Sequence, residues 1–177
     1  MKDTKNILLV GVGGQGTILV SKILSTGLMT AGYDVKMSEI HGMAQRGGSV
    51  STQVRYGSEV FSPIIGIGEA DILVSFETME TLRWLEYLKP DGVVVINDFE
   101  IASAPILMGK AEYPEGIIEL IKGKAKTKVI NAGETAEKLG NQKVMNVVLL
   151  GALIKSMNLT DIDWEAVIKS QVKEKFI

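Results

Sequence analysis

Apolar and polar positions change rhythm several times along the chain, and each change predicts an element. Ile7-Leu8-Leu9-Val10 is an unbroken apolar run, the pattern of a strand buried on both faces. It runs into Gly11-Val12-Gly13-Gly14-Gln15-Gly16. Ile18, Leu19, Ile23, Leu24 and Leu28 then recur at helical spacing, Gly32 closes that helix, and Tyr33 to Met37 reads as a second strand. Strand–turn–helix–strand units of this kind build parallel sheets with right-handed crossovers. Ser38 to Gly48 shows no period and reads as a loop. Beyond it Val50, Thr52, Val54 and Tyr56 alternate with Ser51, Gln53 and Arg55, as in a half-exposed strand. Tyr56-Gly57-Ser58-Glu59 is predicted to turn into a partner strand ending near Ser62, an antiparallel addition to the sheet.

Regular alternation then resumes. Asp71 to Phe76 is predicted as a strand, Thr78 to Leu88 as a helix, Lys89-Pro90-Asp91-Gly92 as a turn and Val93 to Ile96 as a second fully apolar strand. Phe99 to Tyr113 gives no clear assignment, while Pro114 and Glu115 suit the first turn of a short helix through Ile121. Lys128 to Ile130 reads as a strand, followed by helices over Ala132 to Leu139 and Lys143 to Met157. A last helix, capped near Asp161 to Asp163, presents Trp164, Val167, Ile168 and Val172 on one face. The pattern predicts a single domain over 1–177 of the α/β class: a Rossmann-like open, mostly parallel sheet with helices on both faces and an inserted antiparallel hairpin.

Composition removes whole classes of chemistry. The 177 residues include no Cys and one His. Without thiols there is no disulfide framework, no thiolate nucleophile and no Cys-ligated iron–sulfur cluster, and too few ligands for a structural zinc site. Lys and Arg number 19 against 21 Asp and Glu, and Arg46, Arg55 and Arg83 are the only arginines. Such a balance argues against a nucleic-acid partner, which wants a basic face. The opening segment lacks a signal-peptide pattern, and the apolar stretch Val144 to Ile154 is too short to span a bilayer, so a cytoplasmic protein with no membrane partner is expected.

Gly11, Gly13 and Gly16 satisfy G-x-G-x-x-G after a strand and at the opening of a helix. Glycines there permit a tight turn and let backbone N–H groups approach an anion at the helix N-terminus, or they serve only close packing of helix on sheet. A dinucleotide fingerprint also wants an acid about 20 residues on. Glu39 is the candidate, slightly late, and it leads into His41-Gly42 rather than into a helix. An NAD(P)-binding Rossmann oxidoreductase is therefore the second reading, and a non-catalytic nucleotide-binding or regulatory module the third.

Ser38-Glu39-Ile40-His41-Gly42-Met43-Ala44-Gln45-Arg46-Gly47-Gly48-Ser49-Val50 is the most distinctive stretch. Leaving the second strand, it is expected beside the glycine turn at the carboxyl edge of the sheet, where open α/β sheets bind ligands. Arg46 suits bidentate capture of a carboxylate or phosphate, and His41 suits a charge switch near neutral pH. The glycine turn together with this stretch resembles the gamma-type subunit of the 2-oxoacid:ferredoxin oxidoreductase family, in its His-Gly-Met-Ala-Gln-Arg-Gly-Gly form the indolepyruvate branch. The likeness runs from Lys5 to the C-terminal helix and includes Asn146 to Ala152.

The resemblance implies oxidative decarboxylation of a 2-oxoacid, such as an arylpyruvate, to acyl-CoA and carbon dioxide, with electrons passed to ferredoxin. It also implies that thiamine diphosphate and iron–sulfur clusters sit on a larger catalytic partner subunit. This chain is then an accessory subunit, inactive alone, completing a composite site with a CoA contact; self-association in isolation is left open. Gly11, Gly13, Gly14, Gln15 and Gly16, with Ser38, His41, Gly42, Met43, Gln45, Arg46, Gly47 and Gly48, are the cofactor-binding or partner-facing candidates. No residue is assigned to catalysis or to a metal. Met29, Met37, Met145 and Met157 read as core or interface fillers, Trp164 as core, and Asn97 and Asp98 as caps or turns. Asn146 is expected to be hydrogen-bonded if buried, and Glu77 and Glu80 to be loop and helix-surface charges.

Overall fold

A computed structural model describes residues 4–41 and 47–172. Its centre is β1 (Lys5–Val12), buried along all its length after Lys5. Helix α1 (Thr17–Thr30) follows, then β2 (Asp34–His41) and β3 (Ser49–Gly57). β4 (Ala70–Ser75), α2 (Thr78–Trp84) and β5 (Leu88–Asn97) continue the chain. The rest is α3 (Ala104–Leu107), α4 (Ile117–Lys122), β6 (Lys126–Ile130), α5 (Ala132–Lys138), α6 (Met145–Ser156) and α7 (Trp164–Gln171). The strands form one sheet in the order β2-β3-β1-β4-β5-β6. β1, β4, β5 and β6 are mutually parallel, and β3 runs antiparallel to both β1 and β2.

Alternation along β1 sends side chains into two cores. Ile7 and Leu9 join Val20, Ile23 and Leu24 of α1 with Leu149, Leu150 and Leu153 of α6. Leu8 and Val10 point the other way, with Leu73 and Ile65, under Trp84 and Tyr87. Val94 and Ile96 of β5 meet Ile117 and Ile121 of α4. Helices thus cover both faces, and the α/β expectation holds. Among the described residues no helix is long and apolar enough to cross a membrane.

The antiparallel hairpin is real but differs from the predicted one. It is β2–β3, and no strand lies between the end of β3 at Gly57 and the start of β4 at Ala70; β3 is already paired on both edges, so no edge is left for a strand near Ser62. Residues beyond β3 instead lie against it: Arg55 donates to the carbonyls of Ser62 and Ile64, and Gln53 Oε1 accepts from Ile65 N. β2 also extends past Met37 to His41, because register with β3 persists from Ser38 opposite Gln53 to His41 opposite Val50. Lys89 to Gly92 form no free turn. They bulge within β5, where Ala70 pairs with Leu88 but Ile72 with Val93. Pro114 and Glu115 fall outside α4, whose cap is Gly116 in the left-handed region. α2 ends at Trp84, followed by a 3₁₀ turn over Leu85–Tyr87, and Val172 is already extended after α7.

Asp163 caps α7 by accepting from Ala166 N. Trp164 Nε1 donates to the Leu159 carbonyl, and its ring lies so close to α1 that a Cβ on Gly27 would meet it at 2.4 Å. Gly27→Ala should therefore overpack the α1–α7 contact and cost about 1–3 kcal/mol, read as a lower urea midpoint with unchanged helical circular dichroism at low urea.

Candidate functional site

Strand polarity collects one set of ends at one edge. The carboxyl ends of β1, β4, β5 and β6 lie there, with the last residue of β2 and the first of β3, since Val12 pairs with Ser49 and His41 with Val50. The second loop therefore leaves and re-enters the sheet beside the glycine turn. Two further bonds extend the ladder: Gly13 N donates to the Gly48 carbonyl at 2.8 Å, and Gly47 N to the Gly13 carbonyl at 3.3 Å.

The turn is closed from within by Gln15. Its Oε1 accepts from Val12 N at 2.7 Å, and its Nε2 donates to the Phe76 carbonyl at the end of β4 at 2.8 Å. A Cβ at Gly11 would come within 2.8 Å of Gln15 Oε1 and 3.0 Å of Phe76 Cβ, so this glycine makes room for the clasp. Gly14 and Gly16 are left-handed, with φ of 104° and 83°. A Cβ on Gly16 would strike Asn146 Nδ2 at 2.4 Å, and that amide, buried as well, donates weakly to the Gly16 carbonyl. The packing explanation of these glycines is thus satisfied at two of the three motif positions.

Donors for an anion are fewer than the sequence offered. The N–H of Gly13 is spent on Gly48 and that of Gln15 on the Val12 carbonyl. Among the described residues no acceptor meets the N–H groups of Gly14 and Gly16. His41, half-exposed, places Nε2 3.7 Å from Glu39 Oε2. Glu39 itself accepts from Ser21 Oγ on α1. Ser38 stands inside β2 opposite Gln53, itself opposite Leu8, and so lies apart from the turn that begins after Val12. Gly47 and Gly48 join the turn as described, whereas Gly42, Met43, Gln45 and Arg46, with Ala44, lie outside the described residues.

Glu77 and Glu80 are not surface charges: both are buried, at 0% and 3% exposed. Position explains this, because Glu77 follows directly on the buried end of β4 and becomes the cap of α2. Its Oε2 accepts from Glu80 N, and its Oε1 from Ile101 N and from Tyr113 Oη. Glu80 accepts from Ser49 Oγ at 2.5 Å and from Arg83 Nε at 3.2 Å. With Val12 and Gly47 these side chains line a cleft beside the glycine turn. The readable signal was an acid at the cap and another three residues later, directly after an apolar strand. Asn97, fully buried at the end of β5, accepts from Ala132 N at the start of α5, whose cap is Asn131, and donates to the Phe76 carbonyl. Burial, and then the hydrogen bond to the Glu77 carboxylate, pushes the Tyr113 phenol above its ordinary value. Among the described residues no three His, Asp or Glu side chains gather as a metal site.

A family profile described as pyruvate ferredoxin/flavodoxin oxidoreductase matches residues 6–177. The chain belongs to this family. The indolepyruvate oxidoreductase subunit IorB of Archaeoglobus fulgidus is 42% identical over 151 residues, covering 84% of this chain and 75% of that one. The subunit of the same name from Pyrococcus horikoshii is 39% identical over 155 residues, 85% of this chain and 77% of that one. The crystal structure of a keto/oxoacid ferredoxin oxidoreductase gamma subunit from Geobacter sulfurreducens shares the fold, with TM-score 0.73 at 23% identity over 98% of this chain and 88% of that one. The family resemblance carried by the two glycine-rich stretches is thereby borne out. Within this oxidoreductase family, the Gly11–Gly16 turn in this chain is a clasped, hydrogen-bonded structure.

Gln15→Ala would strip Val12 N and the Phe76 carbonyl of their side-chain partner, and a loss of about 1–3 kcal/mol is expected in urea denaturation. Burial raises the Tyr56 phenol to about 12, and Tyr113 is raised as well. The folded chain keeps these protons where the unfolded chain, with tyrosines near 10, has released them. Stability is therefore full below pH 10 and falls as pH rises above it. Tyr113→Phe should shallow that alkaline decline, followed as thermal midpoint against pH.

Proposed function

We propose that this chain is the small accessory subunit of a thiamine-diphosphate-dependent 2-oxoacid:ferredoxin oxidoreductase acting on indolepyruvate or a related arylpyruvate. The complex decarboxylates the 2-oxoacid oxidatively to acyl-CoA and carbon dioxide and delivers electrons to ferredoxin. The observation that carries the reading is the joining of both family-like stretches into one surface, through the Gly13–Gly48 and Gly47–Gly13 backbone bonds. Identity of about 40% to IorB subunits supports the indolepyruvate assignment. A chain without Cys has no thiolates for iron–sulfur clusters, which supports placing them on a larger, Cys-rich partner; by the family resemblance that cytoplasmic partner also holds thiamine diphosphate.

The surface faces that partner's active-site mouth. Gly14 and Gly16 supply N–H donors to a CoA phosphate or a partner carboxylate, and Arg46 supplies the fixed charge, with His41 and Gln45 orienting neighbouring groups. Docking of the partner alone is the second reading, favoured by the half-exposed Ile40 immediately before the loop and by the few donors left to the turn.

Anaerobic co-expression with the large subunit should give 2-oxoacid-dependent viologen reduction that requires this chain; full activity without it would sink the assignment. Arg46→Ala, titrated into the large subunit, separates the two uses of the surface. A higher CoA requirement at normal assembly indicates CoA contact, and weaker assembly indicates docking. Both ideas fail if neither quantity changes.

A further inference from the structure

The Glu80 carboxylate is expensive where it stands. A buried carboxylate must have its lone pairs met to be tolerated, and an alkyl side chain would pack α2 without that demand. Among the described residues the only cation bonded to it, Arg83, has a side chain 56% exposed and contributes through Nε. The shorter bond comes from Ser49 Oγ, which in turn accepts from Trp84 Nε1. Ser49 is the first residue of β3, and its neighbour Gly48 takes the N–H of Gly13. A continuous chain of bonds thus runs from α2 through Ser49 and Gly48 into the glycine turn. On the other flank Glu77, capping the same helix, holds Ile101 and Tyr113.

We propose that Glu80 is a positioning residue: through Ser49 it sets the re-entry of the second loop, and with it the glycine turn, against α2. Its role is directional and rests on an acceptor oxygen at that place. Glu80→Gln retains an oxygen for Ser49, Glu80→Ala removes it, and Ser49→Ala removes the donor, together with the acceptor of Trp84 Nε1, while keeping the carboxylate of Glu80. The proposal uses the accessory-subunit reading only for its activity measurement.

Amide hydrogen exchange on the full chain tests it directly. Glu80→Ala and Ser49→Ala should each speed exchange at the Gly13 N–H about tenfold or more, while Leu9 and Val95, deep in the sheet, stay protected. Glu80→Gln should keep most of the Gly13 protection. In the reconstituted complex the same two variants should raise the CoA KM, or the amount of chain needed for half-maximal activity, several-fold, with Glu80→Gln restoring most of the loss. Unchanged Gly13 exchange in Ser49→Ala overturns the proposal. So does a Glu80→Gln chain as unprotected as Glu80→Ala, since charge and not shape would then be the contribution. Should Glu80→Ala fail to fold, Ser49→Ala and Glu80→Gln still decide. A wild-type chain that reconstitutes no activity defeats the subunit assignment and leaves the exchange result standing.

Discussion

The edge that carries the family motifs depends on the antiparallel pairing of β3 with β1. Register from Lys5 opposite Tyr56 to Val12 opposite Ser49 brings the end of the second loop to the start of the glycine turn. In a sheet where β2 paired directly with β1, the chain after β2 would have no reason to return to this point. Here the returning strand is inserted between them, and the ladder runs on into Gly13, Gly47 and Gly48. Burial holds the pairing in place: Ile7, Leu9 and Val54 share the core under α1, and shifting β1 by one residue would turn its apolar side chains to the other face.

On this frame two carboxylates act as mortar. Glu77 uses both oxygens on the α2 cap and the 101–113 segment, and Glu80 uses both on Ser49 and Arg83. Buried acids of this kind tolerate little rearrangement, because an oxygen that loses its donor also lacks water. Gln15 serves the same purpose with a neutral amide, tying the turn of β1 to the end of β4.

Much of this was legible beforehand. Continuous apolar runs marked β1 and the core of β5, helical spacing marked α1, and the two glycine-rich stretches were expected side by side, as the Gly13–Gly48 bond has them. What escaped was non-local. Whether the strand from Ser49 pairs forward or backward depends on which edges are already occupied, and local alternation carries no such information. The same limit hid Glu77 and Glu80. An acid at a helix start reads as a solvated charge until its donors, Ser49 and Tyr113, are brought to it from 31 and 36 residues away. Ser38 was misplaced for the opposite reason, since a polar residue in an aperiodic stretch looks like loop even when β-pairing continues through it.

The second loop is the connection of a hairpin whose two ends are already fastened, at His41 opposite Val50 and at Gly48 against Gly13. Closing such a segment costs little more when it is longer, about 0.6 kcal/mol for each doubling of its length. Because the fastenings lie in the ladder itself, the register of β2 on β3 and of β3 on β1 is set without reference to the length of the connection. A connection exchanged between His41 and Gly47 would therefore leave in place the strand register, the Gln15 clasp and the bonds made by the two buried acids.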